Sequence, residues 1–179
     1  MKQKEISETI RNAQKIVIKK SNVVFTLTKD GMGWCLVPKR SGTGATKDGK
    51  ISGRQKNERI PDIEDCVKGY LRDGFNVTIS LKDKEFQLSQ HNLSACVFAG
   101  IRIKIPELSL KLLFNDALKV WQMMDDCGLV DGKNMNVAPP IQVNKVGNIE
   151  QKLTEFYNKG YTFEVDIDEF ESVIADFDL

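Results

Sequence analysis

Glycines, a lysine and a hydroxyl in the right order make a phosphate cradle, and Gly44-Ala45-Thr46-Lys47-Asp48-Gly49-Lys50 comes close to one. In the pattern G-x-x-x-x-G-K-[ST], backbone N–H groups surround phosphate, the lysine holds the outer phosphates and the hydroxyl reaches magnesium. Ile51 stands where that hydroxyl belongs, and Ser52 comes one residue late. The surroundings fail as well. A phosphate loop leaves a buried strand and opens a helix, whereas VPKRSGT precedes this stretch and SGRQKNER, with Gly53 inside it, follows. The match is a by-product of a basic, glycine-rich stretch, and nucleotide hydrolysis is not expected from it.

That stretch has a chemistry of its own. Residues 39 to 59 hold seven basic groups, Lys39, Arg40, Lys47, Lys50, Arg54, Lys56 and Arg59, against Asp48 and Glu58. Four glycines accompany them, and Ala45 and Ile51 are the only apolar residues. Nothing there can bury a stripe, so the composition predicts a mobile loop. Seven cations neutralise a phosphate backbone without needing a fixed geometry, and glycines let backbone N–H groups approach it. These seven residues are the candidate nucleic-acid contacts.

The other charged segment has the opposite sign. Residues 160 to 179 carry seven carboxylates and no lysine or arginine. Asp168 stands three residues before Glu171, the spacing of a capping box, and Ile167, Phe170, Ile174 and Phe177 fall on one helical face. The segment 162–179 therefore reads as an acidic amphipathic helix. Its candidate partner-binding residues are Asp166, Asp168, Glu169, Phe170, Glu171, Asp176, Phe177 and Asp178. The competing expectation is that its large apolar groups fold back onto the protein's own sheet.

Catalytic and metal chemistry find little support. His91 is the sole histidine and lies in Gln90-His91-Asn92, a turn sequence with no nucleophile implied beside it. The carboxylate–lysine triplets Asp131-Gly132-Lys133 and Glu150-Gln151-Lys152, and the pair Asp125-Asp126, are what a chain this charged produces routinely. Cys35, Cys66, Cys96 and Cys127 are spaced by 31, 30 and 31 residues, yet their neighbours (WCLV, DCVK, ACVF, DCGL) share no pattern. None makes a C-x2-C pair, so reduced thiols are expected rather than a zinc site or disulfides. No cofactor and no metal are expected, and turnover is not.

The elements that must position these groups follow from periodicity. Ile6, Ile10 and Ala13 predict a first helix, Lys15–Lys19 and Val23–Thr28 two strands, and Trp34–Val37 a third that stops at Pro38. A second helix opens after Pro61, with Asp62, Glu64 and Asp65 at the positive end of its dipole and Gly74 past its end. Phe75, Val77, Ile79 and Leu81, then Phe86 and Leu88, alternate as a hairpin with one wet face, the mark of an antiparallel sheet. Leu93–Phe98 and Ile101–Ile105 read as two more strands. Leu110, Leu113, Phe114, Ala117, Val120, Trp121 and Met124 trace a helical stripe, predicting a long helix over about 107–127 that packs the sheet. Ile149, Leu153 and Phe156 give a short helix ending at Gly160, and Tyr161–Val165 a strand.

The chain of 179 residues is 41% hydrophobic and 28% charged with a net charge of +1, the mix of an ordinary globular protein. It has neither the apolar run of a membrane span nor a signal peptide, so a cytoplasmic protein with no membrane partner is expected. The reading is one α+β domain over 1–179: a mainly antiparallel β-sheet packed by a long helix, with additional short helices. Its expected role is non-enzymatic binding of nucleic acid, through the phosphate backbone, or of a nucleic-acid-processing protein. The alternative is an adaptor or inhibitor that sets its acidic segment against a basic partner, such as a phage or mobile-element inhibitor of a host nuclease.

Overall fold

The computed structural model describes residues 2–37, 58–126, 143–168 and 171–177. Helix α1 (Gln3–Asn12) buries Ile6 and Ile10 and leads into strands β1 (Lys15–Lys20), β2 (Val23–Asp30) and β3 (Gly33–Val37). Strand β4 (Glu58–Ile60), helix α2 (Ile63–Arg72) and strands β5 (Asn76–Ser80) and β6 (Glu85–Leu88) follow. These six strands form one antiparallel sheet in the order β4-β3-β2-β1-β5-β6.

The chain then repeats itself. Helix α3 (Leu93–Ala99), strands β7 (Ile103–Ile105), β8 (Leu110–Asn115), β9 (Val120–Asp125) and β10 (Asn144–Val146), helix α4 (Ile149–Asn158), and strands β11 (Glu164–Asp168) and β12 (Glu171–Ile174) come in the same succession. They build a second six-stranded antiparallel sheet, β10-β9-β8-β7-β11-β12, with the same topology. The equivalence reaches single residues. Ile16 pairs with Leu27 and Ile79, as Ile103 pairs with Leu112 and Val165. Trp34 faces Ile60 as Trp121 faces Val146. The first hairpin turn of each half holds a serine at positive φ, Ser21 at 51° and Ser109 at 48°. Each second helix is capped alike: Asp62 accepts from the Asp65 N–H and Asn148 from the Gln151 N–H, both at 3.0 Å. Gly74 and Gly160, at φ 79° and 82°, reverse the chain past those helices, where an L side chain would be strained. The cysteines do not follow this duplication, since Cys35 and Cys66 correspond to Gln122 and Lys152.

One core serves both halves. Ile16, Ile18, Leu27, Val77 and Ile79 of the first sheet and Ile103, Ile105, Leu112 and Val165 of the second join a single cluster with the buried faces of the helices. At its centre is α3, all seven of whose residues are buried. It packs on α1 and α2, so the first helix of the second half completes the first.

The α+β class and antiparallel pairing hold; three expected elements differ. The long helix expected over 107–127 is absent from its described part, 107–126. That stretch opens with a short 3-10 turn at Pro106–Leu108 and continues as the β8–β9 hairpin, whose turn is closed by the Asn115 side chain accepting from the Leu118 N–H at 3.0 Å. Leu93–Phe98 is helix α3 and not a strand. Where it is described, the acidic segment is not a helix either: it runs through β11 and β12, with Glu164 opposite Ile174 and Asp168 opposite Glu171.

Candidate functional site

The basic stretch leaves from β3 and returns at β4, and those strands are neighbours: Leu36 pairs with Glu58, Cys35 with Arg59 and Trp34 with Ile60. Both ends are thus tied at one edge of the first sheet. Lys39, Arg40, Lys47, Lys50, Arg54 and Lys56 lie outside the described residues, as does the glycine–lysine motif at 44–50. Arg59, the seventh candidate, sits on β4 and donates from Nη1 to Asp30 Oδ1 at 2.6 Å. That hydrogen bond holds the Asp30 carboxyl below its ordinary pKa and the guanidinium above its own. Arg59 is therefore partly committed inside its own sheet.

The acidic residues divide similarly. The Asp166 side chain is only 8% exposed and is gripped by Arg102 at 2.8 Å and Lys104 at 3.5 Å. A carboxylate held by two cations ties β11 to β7 and has little left for a partner. Asp168 and Glu171 take paired backbone positions in β11 and β12. Glu169, Phe170 and Asp178 lie outside the described residues. Asp176 is exposed, and its backbone bridges to the loop before α3, donating to the His91 carbonyl at 2.7 Å and accepting from the Leu93 N–H at 3.1 Å. Phe177 stacks on Tyr157 with ring centroids 4.0 Å apart. The segment is thus built into the second sheet, with Ile174 left 70% exposed on strand β12.

Cys35 and Cys96 are buried, and burial raises the Cys66 thiol above its ordinary pKa. Among the described residues no three His, Cys, Asp or Glu side chains gather as a metal set. Among them, too, no helix is long and apolar enough to cross a membrane.

Sequence reasoning missed a cleft of about 480 Å³ where α2, α3 and the β8–β9 turn meet. Lys68 and Arg72 reach it from α2, and Asp116 and Lys119 from the turn. The spacing of Lys68 and Arg72, one helical turn apart, was available as a signal. Their meeting with Lys119 was not, because residues 115–119 read as helix rather than as the tip of a hairpin. The chain matches no family model, no curated protein and no solved structure.

Proposed function

We propose that this is a non-enzymatic binding protein that contacts nucleic acid, or a complex that processes it, through the basic stretch 39–59. The observation that supports this is the pairing of β3 with β4. Six cations, outnumbering one acid, occupy a chain excursion whose two ends are fixed side by side at one sheet edge. Tethering both ends lowers the entropy lost when such a stretch orders along a phosphate backbone.

The test is fluorescence anisotropy with single- and double-stranded oligonucleotides at two salt concentrations. If all six cations contact duplex phosphates, affinity falls about a thousandfold between 50 and 200 mM salt. A variant with Lys39, Arg40, Lys47, Lys50, Arg54 and Lys56 changed to alanine loses the binding and its salt dependence. Absence of binding by the parent protein at low salt refutes direct contact.

A second reading, an adaptor or inhibitor that meets a basic partner, draws on the exposed Ile174. Among the described residues β12 has only β11 as a strand neighbour, so an extended basic segment could add to that edge. On this reading Ile174→Lys abolishes capture of the partner and leaves oligonucleotide binding unchanged; equal capture by the variant counts against it.

A further inference from the structure

Ion pairs among the described residues range from 2.6 to 4.0 Å, and several outside the cleft, such as Lys104–Asp166 at 3.5 Å and Lys111–Asp126 at 3.4 Å, are as open as those within it. Arg59–Asp30, Arg11–Glu64 and Arg102–Asp166 close to 2.6, 2.7 and 2.8 Å, the range of charge-assisted hydrogen bonds. The three pairs that line the cleft between α2, α3 and the β8–β9 turn do not close. Lys68–Asp65 stands at 3.6 Å, Arg72–Asp116 at 3.6 Å and Lys119–Asp116 at 3.7 Å. These distances give attraction without a hydrogen bond, so the donors of all three cations facing the cleft are not consumed by the carboxylates.

The arginine is also held in place. Arg72 Nε donates to the Ala99 carbonyl at 2.5 Å, which fixes the guanidinium plane and leaves its terminal nitrogens for another acceptor. Lys68 lies over the Phe98 ring, 5.1 Å from its centroid. Phe98 and Phe114 line the same space and give it an aromatic side. Gly100, at φ 70°, lets the walls approach: a Cβ there would meet Phe114 at 3.1 Å and Arg72 at 3.2 Å.

We infer that this cleft binds a small organic phosphate that carries a flat ring, of the nucleoside monophosphate class. Its volume lies within the range of small-molecule sites. Arg72, Lys68 and Lys119 supply donors for a phosphate, and the partly exposed Phe114 supplies a surface for a base, with buried Phe98 behind Lys68. Asp65 and Asp116 offer acceptors for hydroxyl or amino groups. Three cations against two carboxylates leave one net positive charge, which suits a phosphate monoester better than a triphosphate. The inference does not rest on the reading of residues 39–59.

The experiment is calorimetric titration of the full chain with AMP, GMP, CMP and UMP, with the matching nucleoside, inorganic phosphate and the matching triphosphate as comparisons. At least one monophosphate is expected to saturate at one per chain. Its nucleoside, phosphate alone and its triphosphate should each bind about tenfold more weakly or worse. Arg72→Gln should weaken the monophosphate about tenfold or more, and Lys119→Gln, on an exposed turn, should weaken it while the melting temperature stays put. Failure of all four monophosphates to saturate in the millimolar range overturns the inference. So does inorganic phosphate binding as tightly as the monophosphate, or Lys119→Gln that folds and binds unchanged.

Discussion

Glu107 follows β7 in the chain and Thr162 precedes β11, and the two are joined by a pair of hydrogen bonds. Thr162 donates from its hydroxyl at 2.7 Å and from its backbone N–H at 3.0 Å to one carboxylate oxygen of Glu107. The hydroxyl bond is the main reason the Glu107 carboxyl lies below its ordinary pKa. A depressed carboxyl contributes stability above its unfolded pKa, and that contribution is lost as pH falls through the folded value. Thr162→Val removes the hydroxyl and keeps the backbone donor, so the Glu107 midpoint should rise toward the ordinary range without reaching it. The variant's loss of stability should appear at neutral pH and shrink on acidification. Carbon-detected NMR titration of the Glu107 carboxyl reads the first effect and denaturant melts at two pH values the second. A midpoint that does not move refutes the assignment. Nothing in the sequence announces this contact, because a Glu and a Thr so far apart in the chain meet only once β7 and β11 are paired.

Helices α2 and α4 show what can be read at the scale of elements. Each begins with a side chain that accepts from the third residue on, Asp62 from the Asp65 N–H and Asn148 from the Gln151 N–H. Asp62→Ala and Asn148→Ala should each cost about 1 kcal/mol of folding free energy by urea denaturation, and similar values would mark the two caps as equivalents. A negligible loss at either site would show that tertiary packing alone sets that helix start. Both helices were legible because an amphipathic stripe and a terminal glycine agree within one short window, with acidic residues marking the start of α2 as well. The hairpin at 110–125 was not. Leu110, Leu112 and Phe114 point to the core with strand period, but Leu113 beside them and Ala117, Val120 and Trp121 beyond complete a helical stripe equally well. The turn at Asn115-Asp116, closed by the Asn115 side chain, was the discriminating signal. Helix α3 was hidden for the opposite reason. All seven residues of Leu93–Ala99 are buried, so no polar face exists to reveal a period of 3.6. The candidate site shares this limit: its charges are plain in the sequence, while the tethering of 38–57 by β3 and β4 and the commitment of Asp166 to Arg102 and Lys104 depend on strand pairing.

At the scale of the whole molecule, duplication and burial make opposite demands. Two copies of one topology suggest two units that fold apart, and each sheet has its own tryptophan, Trp34 in β3 and Trp121 in β9. The likeness is structural far more than sequential, since core positions need only apolar residues of similar size, and helix α3 is not amphipathic as its counterpart α1 is. The packing of α3 decides between one unit and two. It belongs to the second half by sequence but lies against α1 and α2, in the cluster that holds Ile6, Ile10, Val67 and Leu71, each without exposed surface. Separating the halves would uncover these side chains, each worth about 1.5–3 kcal/mol of burial, which is much of the stability of a domain this size. The halves should therefore unfold together. Trp34→Phe leaves Trp121 to report on the second sheet, and Trp121→Phe leaves Trp34 to report on the first. After allowance for any stability lost in each variant, taken from circular dichroism on the same sample, fluorescence and dichroism midpoints should coincide in both. Residues 1–90 expressed alone, lacking α3, should show no cooperative transition. A fluorescence midpoint displaced from the dichroism curve, or a cooperative melt by 1–90, would mean that α3 joins two domains which are stable on their own.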